Sequence, residues 1–167
     1  MAAPGPPHGI SWRDATIFGG PNLRLPGWLT AVAGHLVLIA EDSEDTRDMY
    51  GEFLEFSGFQ VLTAVDGLEV LRLTTEHSPD VIILDMSMPR MNGWDAARRL
   101  RIEPLTCKTP IIAVTGHALT GTEAALKEAG CDVYLTKPLL PERLAEEVRR
   151  VLDDMAPRAQ TRSGVSE

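Results

Sequence analysis

Five side chains with chemical potential stand just after short apolar runs in this 167-residue chain. Glu41 and Asp42 follow Leu36-Val37-Leu38-Ile39-Ala40, Asp85 follows Val81-Ile82-Ile83-Leu84, Thr115 follows Ile111-Ile112-Ala113-Val114, and Lys137 follows Val133-Tyr134-Leu135-Thr136. The first three of these runs read as strands buried on both faces, and the last as a short strand. A parallel sheet collects its ligand chemistry in the crevice outside the carboxyl ends of its strands. Three carboxylates brought together there repel, and one must protonate unless a cation compensates. Mg²⁺ is the hard cation suited to one or two carboxylates, some waters and phosphate oxygens. With Lys137 as a second positive charge, such a pocket would stabilise charge developing on a transferring phosphoryl group. Asp85, central and flanked by the others, suits the part of a carboxylate nucleophile that forms an aspartyl phosphate. Taken singly, each residue has a plainer explanation. Asp85 can start a turn, Glu41 and Asp42 can favour a helix N-terminus, Thr115 can be a strand-end hydroxyl, and Lys137 a solvated charge. Their coincidence at successive strand ends is what the plainer explanations do not cover.

The elements that must position them follow in order. The first strand leads to a helix capped by Ser43 or Asp45 and running to about Ser57, with Met49, Phe53 and Phe56 recurring at helical spacing. Gly58 stands as its C-terminal glycine. Phe59 to Ala64 is a second, more polar strand, expected at an edge, and Asp66-Gly67 turns into a helix through Leu68, Leu71 and Leu73 that stops at Ser78-Pro79. After the third strand comes a loop, Met86 to Asn92, stiffened by Pro89 and closed by Gly93. A helix from Trp94 has Trp94, Ala97 and Leu100 as its inner stripe and ends at Pro104. The fourth strand precedes a helix over Thr122 to Ala129 that is poor in large apolar residues and so expected to be loosely held, with Gly130 as its stop. The fifth strand precedes a helix from about Glu142 to Asp154 facing inward through Leu144, Val148 and Val151. Five strands alternating with five helices predict an α/β, flavodoxin-like, doubly wound (βα)5 fold: a parallel five-stranded sheet in the order 2-1-3-4-5 with helices on both faces. That order brings Glu41, Asp42, Asp85 and Thr115 into one crevice, with Lys137 reaching in.

The flanks read differently. Residues 1–34, rich in Pro and Gly with apolar residues in no sustained period, are expected to be a mostly disordered extension; Trp12 and Trp28 motivate the alternative of a segment that orders on a partner. Residues 35–154 form the folded unit, and 155–167 a polar tail. Hydrophobic residues make up 44% and charged residues 24%, the composition of a globular protein. The net charge of −8 argues against nucleic acid or an anionic membrane as main partner. Cys107 and Cys131, far apart and without metal-binding context, fit a reducing cytoplasm. No leader peptide is evident, and Leu29 to Ala40 is too short an apolar stretch to span a bilayer.

Glu41-Asp42 after the first strand, the run Leu-Asp-Met-Ser-Met-Pro-Arg-Met-Asn-Gly from Leu84 to Gly93, Thr115 after the fourth strand and Lys137-Pro138 after the fifth resemble the receiver domain of bacterial response regulators over roughly Leu36 to Asp154. The resemblance implies that Asp85 accepts phosphate from a histidine kinase. It implies Mg²⁺ held by Asp42, Asp85 and the Ser87 carbonyl, with Glu41 assisting through water. Lys137 would pair with the phosphoryl group, and the Lys137-Pro138 bond would be cis. Thr115 would move to a phosphoryl oxygen and Tyr134, in the switch position, would swing inward; spacing alone makes Tyr134 an edge aromatic packed on the last helix. Gly116 stands where the family often has Ala, and His117 follows, which leaves the lifetime of the phosphorylated state open. The partners implied are a sensor histidine kinase or histidine phosphotransfer protein and a downstream protein target, with the chain a monomer or a phosphorylation-dependent dimer.

The tail is too short for an output domain, so the expected output is binding, through the fourth helix, fifth strand and last helix. Two other classes compete. A Mg²⁺-dependent phosphatase or phosphotransferase with an aspartyl nucleophile usually needs a second acid two residues on, where this chain has Ser87. A phosphorylation-independent module would keep the fold but has no use for the full set of acids, Thr115 and Lys137.

Overall fold

The computed structural model describes residues 34–116 and 122–155. Ten elements alternate along it: β1 (Leu36–Ala40), α1 (Glu44–Phe56), β2 (Gln60–Ala64), α2 (Gly67–His77), β3 (Val81–Asp85), α3 (Gly93–Ile102), β4 (Ile111–Thr115), α4 (Thr122–Glu128), β5 (Val133–Thr136) and α5 (Pro141–Met155). The strands form one sheet in the order β2-β1-β3-β4-β5, every neighbouring pair parallel, as the alternation of elements predicts.

Strand side chains alternate between two cores, because successive Cβ atoms point to opposite faces. Leu38, Ala40, Ile82, Leu84, Ile111 and Ala113 pack with Val70, Leu73, Ala97, Leu100 and Leu126 from α2, α3 and α4. Val37, Ile39, Val81, Ile83, Ile112 and Val114 pack with Tyr50, Leu54, Leu144, Val148 and Val151 from α1 and α5. Burial on both faces explains why β1, β3 and β4 are near-continuous apolar runs, while the edge strand β2 is more polar and partly exposed.

The inner face of α1 departs from the sequence reading. Met49 and Phe56 are exposed, and the buried positions are Tyr50, Gly51 and Leu54, with Phe53 half-buried. Tyr50 can face inward because its hydroxyl donates to the Leu139 carbonyl at 3.1 Å, which satisfies the one polar atom that burial would otherwise penalise. The second strand begins at Gln60 rather than Phe59, although Phe59 is buried in the α1–α5 core.

Helix ends follow local chemistry. Asp66 caps α2 through Glu69 N–H, and Asn92 caps α3 through Asp95 N–H, each at 2.9 Å. Ser78 closes α2 in the left-handed region, at φ 48°. Cys107 and Cys131 are both free thiols, and burial pushes the Cys131 thiol up to about 11. Among the described residues no helix is long and apolar enough to cross a membrane. The readings made for residues 1–33, His117 and residues 156–167 lie outside the described residues.

Candidate functional site at the carboxyl ends of the strands

In the pairing of β1 with β3, Ala40 stands opposite Leu84, so Glu41 and Asp85 are the next residues along two adjacent strands. On the other side of β3, Asp85 pairs with Val114, which brings Thr115 to the same rim, and Thr115 pairs with Thr136, which delivers Lys137. The Lys137 N–H donates to the Thr115 carbonyl at 2.8 Å, tying the ends of β4 and β5 together. The Lys137-Pro138 peptide is cis, in keeping with the resemblance.

All five residues converge. Lys137 Nζ lies 2.7 Å from Glu41 Oε2 and 3.1 Å from Asp85 Oδ2. Asp85 Oδ1 accepts the Ser87 N–H at 3.0 Å, and Glu41 Oε1 accepts the Ser43 N–H at 3.2 Å. Glu41, Asp42 and Asp85 each offer a carboxylate oxygen within 4.8 Å of the others. Glu41, Asp85 and Thr115 are buried, whereas Asp42 and Ser87 are exposed, so the cluster opens to solvent on the Asp42 side.

The electrostatics follow from this arrangement. Burial raises the Glu41 carboxyl above its ordinary value and the neighbouring Asp85 pushes the same way, while the Lys137 hydrogen bond opposes both. Burial works against the Lys137 ammonium, but its hydrogen bonds to Glu41 and Asp85 outweigh that and hold it more firmly protonated than a free lysine. One ammonium therefore faces two buried carboxylates, with a third carboxylate at the rim. The cluster keeps an excess of negative charge, and this donor set of hard oxygens fits a divalent hard cation such as Mg²⁺.

Tyr134 is reached differently. It is exposed on β5, and its hydroxyl donates to Glu123 Oε2 in the first turn of α4 at 3.0 Å. The edge aromatic is thus tied to α4. Glu123 was not singled out in the sequence; an acid in a helix's first turn is common, and nothing in its spacing marks it as a tyrosine's acceptor. Arg47 escaped notice as well. Its Nη1 donates to the carbonyls of Glu41 at 2.9 Å and Asp42 at 3.4 Å, bracing the turn that carries both acids.

With this geometry in place, comparison with known proteins is decisive. The response regulator receiver domain model matches residues 37–149. The chain belongs to that family. It is 33% identical over 118 residues to the polar-differentiation response regulator DivK of Brucella anthropi, a match covering 71% of this chain and 96% of that protein. Among solved structures, it resembles the chemotaxis protein CheY4 of Vibrio cholerae with a TM-score of 0.68 and 34% identity, covering 71% of this chain and 99% of the other. It also resembles the receiver domain of the sensor histidine kinase PA1611 from Pseudomonas aeruginosa, with a TM-score of 0.67 and 29% identity, covering 72% and 99%. That structure carries a magnesium ion coordinated in its active-site cleft. This chain is a receiver domain of two-component signalling, and Glu41, Asp42 and Asp85 form an acid cluster within it.

Proposed function

We propose that this receiver unit, spanning residues 35–154, takes a phosphoryl group on Asp85 from the phosphohistidine of a sensor histidine kinase or histidine phosphotransfer protein, and signals by a changed affinity for a downstream protein. A carboxylate oxygen of Asp85 would form the new bond to phosphorus as the bond from phosphorus to the imidazole nitrogen breaks, leaving the electron pair on the imidazole. The observation that carries the reading is the Lys137 ammonium bridging Glu41 and Asp85, at 2.7 and 3.1 Å, beside a third carboxylate.

Asp42, Asp85 and the Ser87 carbonyl are the groups that would hold Mg²⁺, with Glu41 assisting through water. The bound ion would neutralise charge building on the phosphoryl oxygens. The chain's own residues do the rest. The Ser87 N–H holds Asp85 Oδ1 and fixes the carboxylate's rotation. Lys137, already paired with Asp85 Oδ2, would transfer to the phosphoryl group once that oxygen is bonded to phosphorus. Thr115, buried at the end of β4, would donate its hydroxyl to a phosphoryl oxygen, and Tyr134 would leave Glu123 and turn inward. The surface formed by α4, β5 and α5 is the face where that change would be felt by a partner.

The test is incubation with acetyl phosphate and Mg²⁺, followed by intact-mass measurement of the wild type and Asp85→Asn. The expected result is one added phosphoryl group on the wild type and none on the variant. Turnover without a stable adduct would favour a hydrolase, and neither adduct nor turnover would favour an interaction module that uses the fold alone.

A further inference from the structure

The loop from Met86 to Asn92 carries Ser87 and is anchored at two places. At its base, Gly93 N–H donates to the Met86 carbonyl at 3.3 Å, and a Cβ on Gly93 would stand 2.4 Å from the Asp85 carbonyl oxygen. At its far end the loop leans on the start of α2. Gly67 N–H donates to the Met91 carbonyl at 2.9 Å, and a Cβ on Gly67 would lie 2.6 Å from the Met91 side chain. Beside that contact stands Asp66, 1% exposed. Its Oδ1 is used as the cap of α2, accepting Glu69 N–H. Its Oδ2 is buried and takes no hydrogen bond among the described residues, but the Arg90 guanidinium meets it in an ion pair. Arg90 itself adopts φ 61°, in the left-handed region that an L side chain rarely occupies without something to hold it there.

We infer that the Asp66–Arg90 pair is a clamp that positions the loop after Asp85 and thereby sets the affinity of the acid cluster for its divalent cation. The inference rests on the reading that this cluster takes Mg²⁺. Three features carry it. The carboxylate oxygen is buried and committed to no other donor, so Arg90 is its counter-charge. The left-handed turn at Arg90 directs that guanidinium back across the loop. Between the two anchors, Ser87 is held through its N–H on Asp85, so the direction of its carbonyl depends on how the loop is strung between base and apex. Asp66 and Arg90 touch neither the acids nor the site of transfer, and act as positioning residues. Groups one contact removed from metal ligands commonly govern affinity in this way.

The experiment compares wild type, Arg90→Ala, Arg90→Gly, Arg90→Lys, Asp66→Asn and the Asp66→Asn/Arg90→Ala double variant. Mg²⁺ affinity is read by calorimetry, and hydrogen exchange of the loop amides is read without metal. The rate of phosphorylation by acetyl phosphate is followed against Mg²⁺ concentration. Removal of the guanidinium should weaken Mg²⁺ binding roughly tenfold and speed exchange of the amides from Ser87 to Asn92. The rate at saturating Mg²⁺ should stay within about twofold of wild type. Arg90→Lys should recover part of the affinity, and the double variant should bind no more weakly than the worse single one. Arg90→Gly separates the ion pair from the backbone, since glycine tolerates the left-handed turn without a charge. Wild-type affinity and exchange in Arg90→Gly would overturn the inference, as would a lower saturated rate at unchanged affinity. Because Arg90 is exposed, its variants should fold even if Asp66→Asn does not. If the wild type binds no Mg²⁺, the reading of the metal site falls as well; if it binds and every variant binds alike, only the clamp falls.

Discussion

The Tyr134 hydroxyl donates to Glu123 Oε2 at 3.0 Å, so the exposed aromatic of β5 is fastened to the first turn of α4. The bond holds the ring on the surface and couples its position to a helix of seven residues with one buried leucine, Leu126. Any event that moves α4 relative to β5 must therefore release the ring or carry it along.

Glu123→Ala should remove that tether. The Glu123 hydrogen bond and its negative charge both hold the Tyr134 phenol above its ordinary value of 10.0, so the variant's phenol should titrate lower. Tyr50 is the only other tyrosine, and ultraviolet titration in a Tyr50→Phe background isolates the change. If inward rotation accompanies phosphorylation, the variant should also accept phosphate from acetyl phosphate about twofold faster, because its outward state has lost a stabilising contact.

Glu41 should make the metal-free protein less stable as pH rises. Its folded-state value is raised above 4.5, so the folded state binds the extra proton. The stability this gives is fully present below 4.5 and is lost as pH climbs through the raised folded value. Melting temperatures in EDTA should fall across that window for the wild type, and the decline should be reduced in Glu41→Gln. Adding Mg²⁺ should flatten the wild-type curve, since the ion offsets the charge that burial penalises.

Gly93→Ala should damage the site from the backbone side. A Cβ there would come within 2.4 Å of the Asp85 carbonyl oxygen and 2.7 Å of the Met86 Cα, and neither main-chain atom can give way independently of β3. Overpacking of this kind costs about 1–3 kcal/mol. Urea denaturation should register that loss, and the yield of phosphorylated protein should fall because Asp85 and Ser87 must shift together.

Arg101 should be among the most sensitive positions away from the site. Its guanidinium donates to the carbonyls of Gly130, Cys107 and Thr109, and its Nη2 pairs with Asp132 at 2.7 Å, joining α3 to the turns before β4 and β5. Arg101→Ala leaves three carbonyls without that donor and should cost about 2–3 kcal/mol. It should also expose Cys131, which is buried and held protonated with a value of about 11. A thiol reagent at mildly alkaline pH should label Cys131 in the variant and spare it in the wild type.

Much of this molecule is readable from the chain because a parallel sheet covered on both faces demands apolar runs, and Val37–Ala40, Val81–Leu84 and Ile111–Val114 are such runs. The acids and Lys137 were legible for the same reason, since a polar residue ending a buried strand has a definite place in this architecture. The orientation of α1 was not. Met49 and Phe56 are more apolar than Tyr50, and only the distant Leu139 carbonyl makes Tyr50 the better inward residue. The same holds for Asp66 and Arg90. One looks like a turn former and the other like a surface charge until the left-handed turn at Arg90 brings them together.

The pairing of Ala40 with Leu84 has a consequence for how this protein can change over time. Neighbouring strands lie about 4.8 Å apart whatever side chains they carry. The gap across which Glu41 and Asp85 share one lysine is therefore set by main-chain ladders, and substitutions in either core can accumulate without altering it. A relative that keeps only 33% of these residues can thus inherit the same working distance intact.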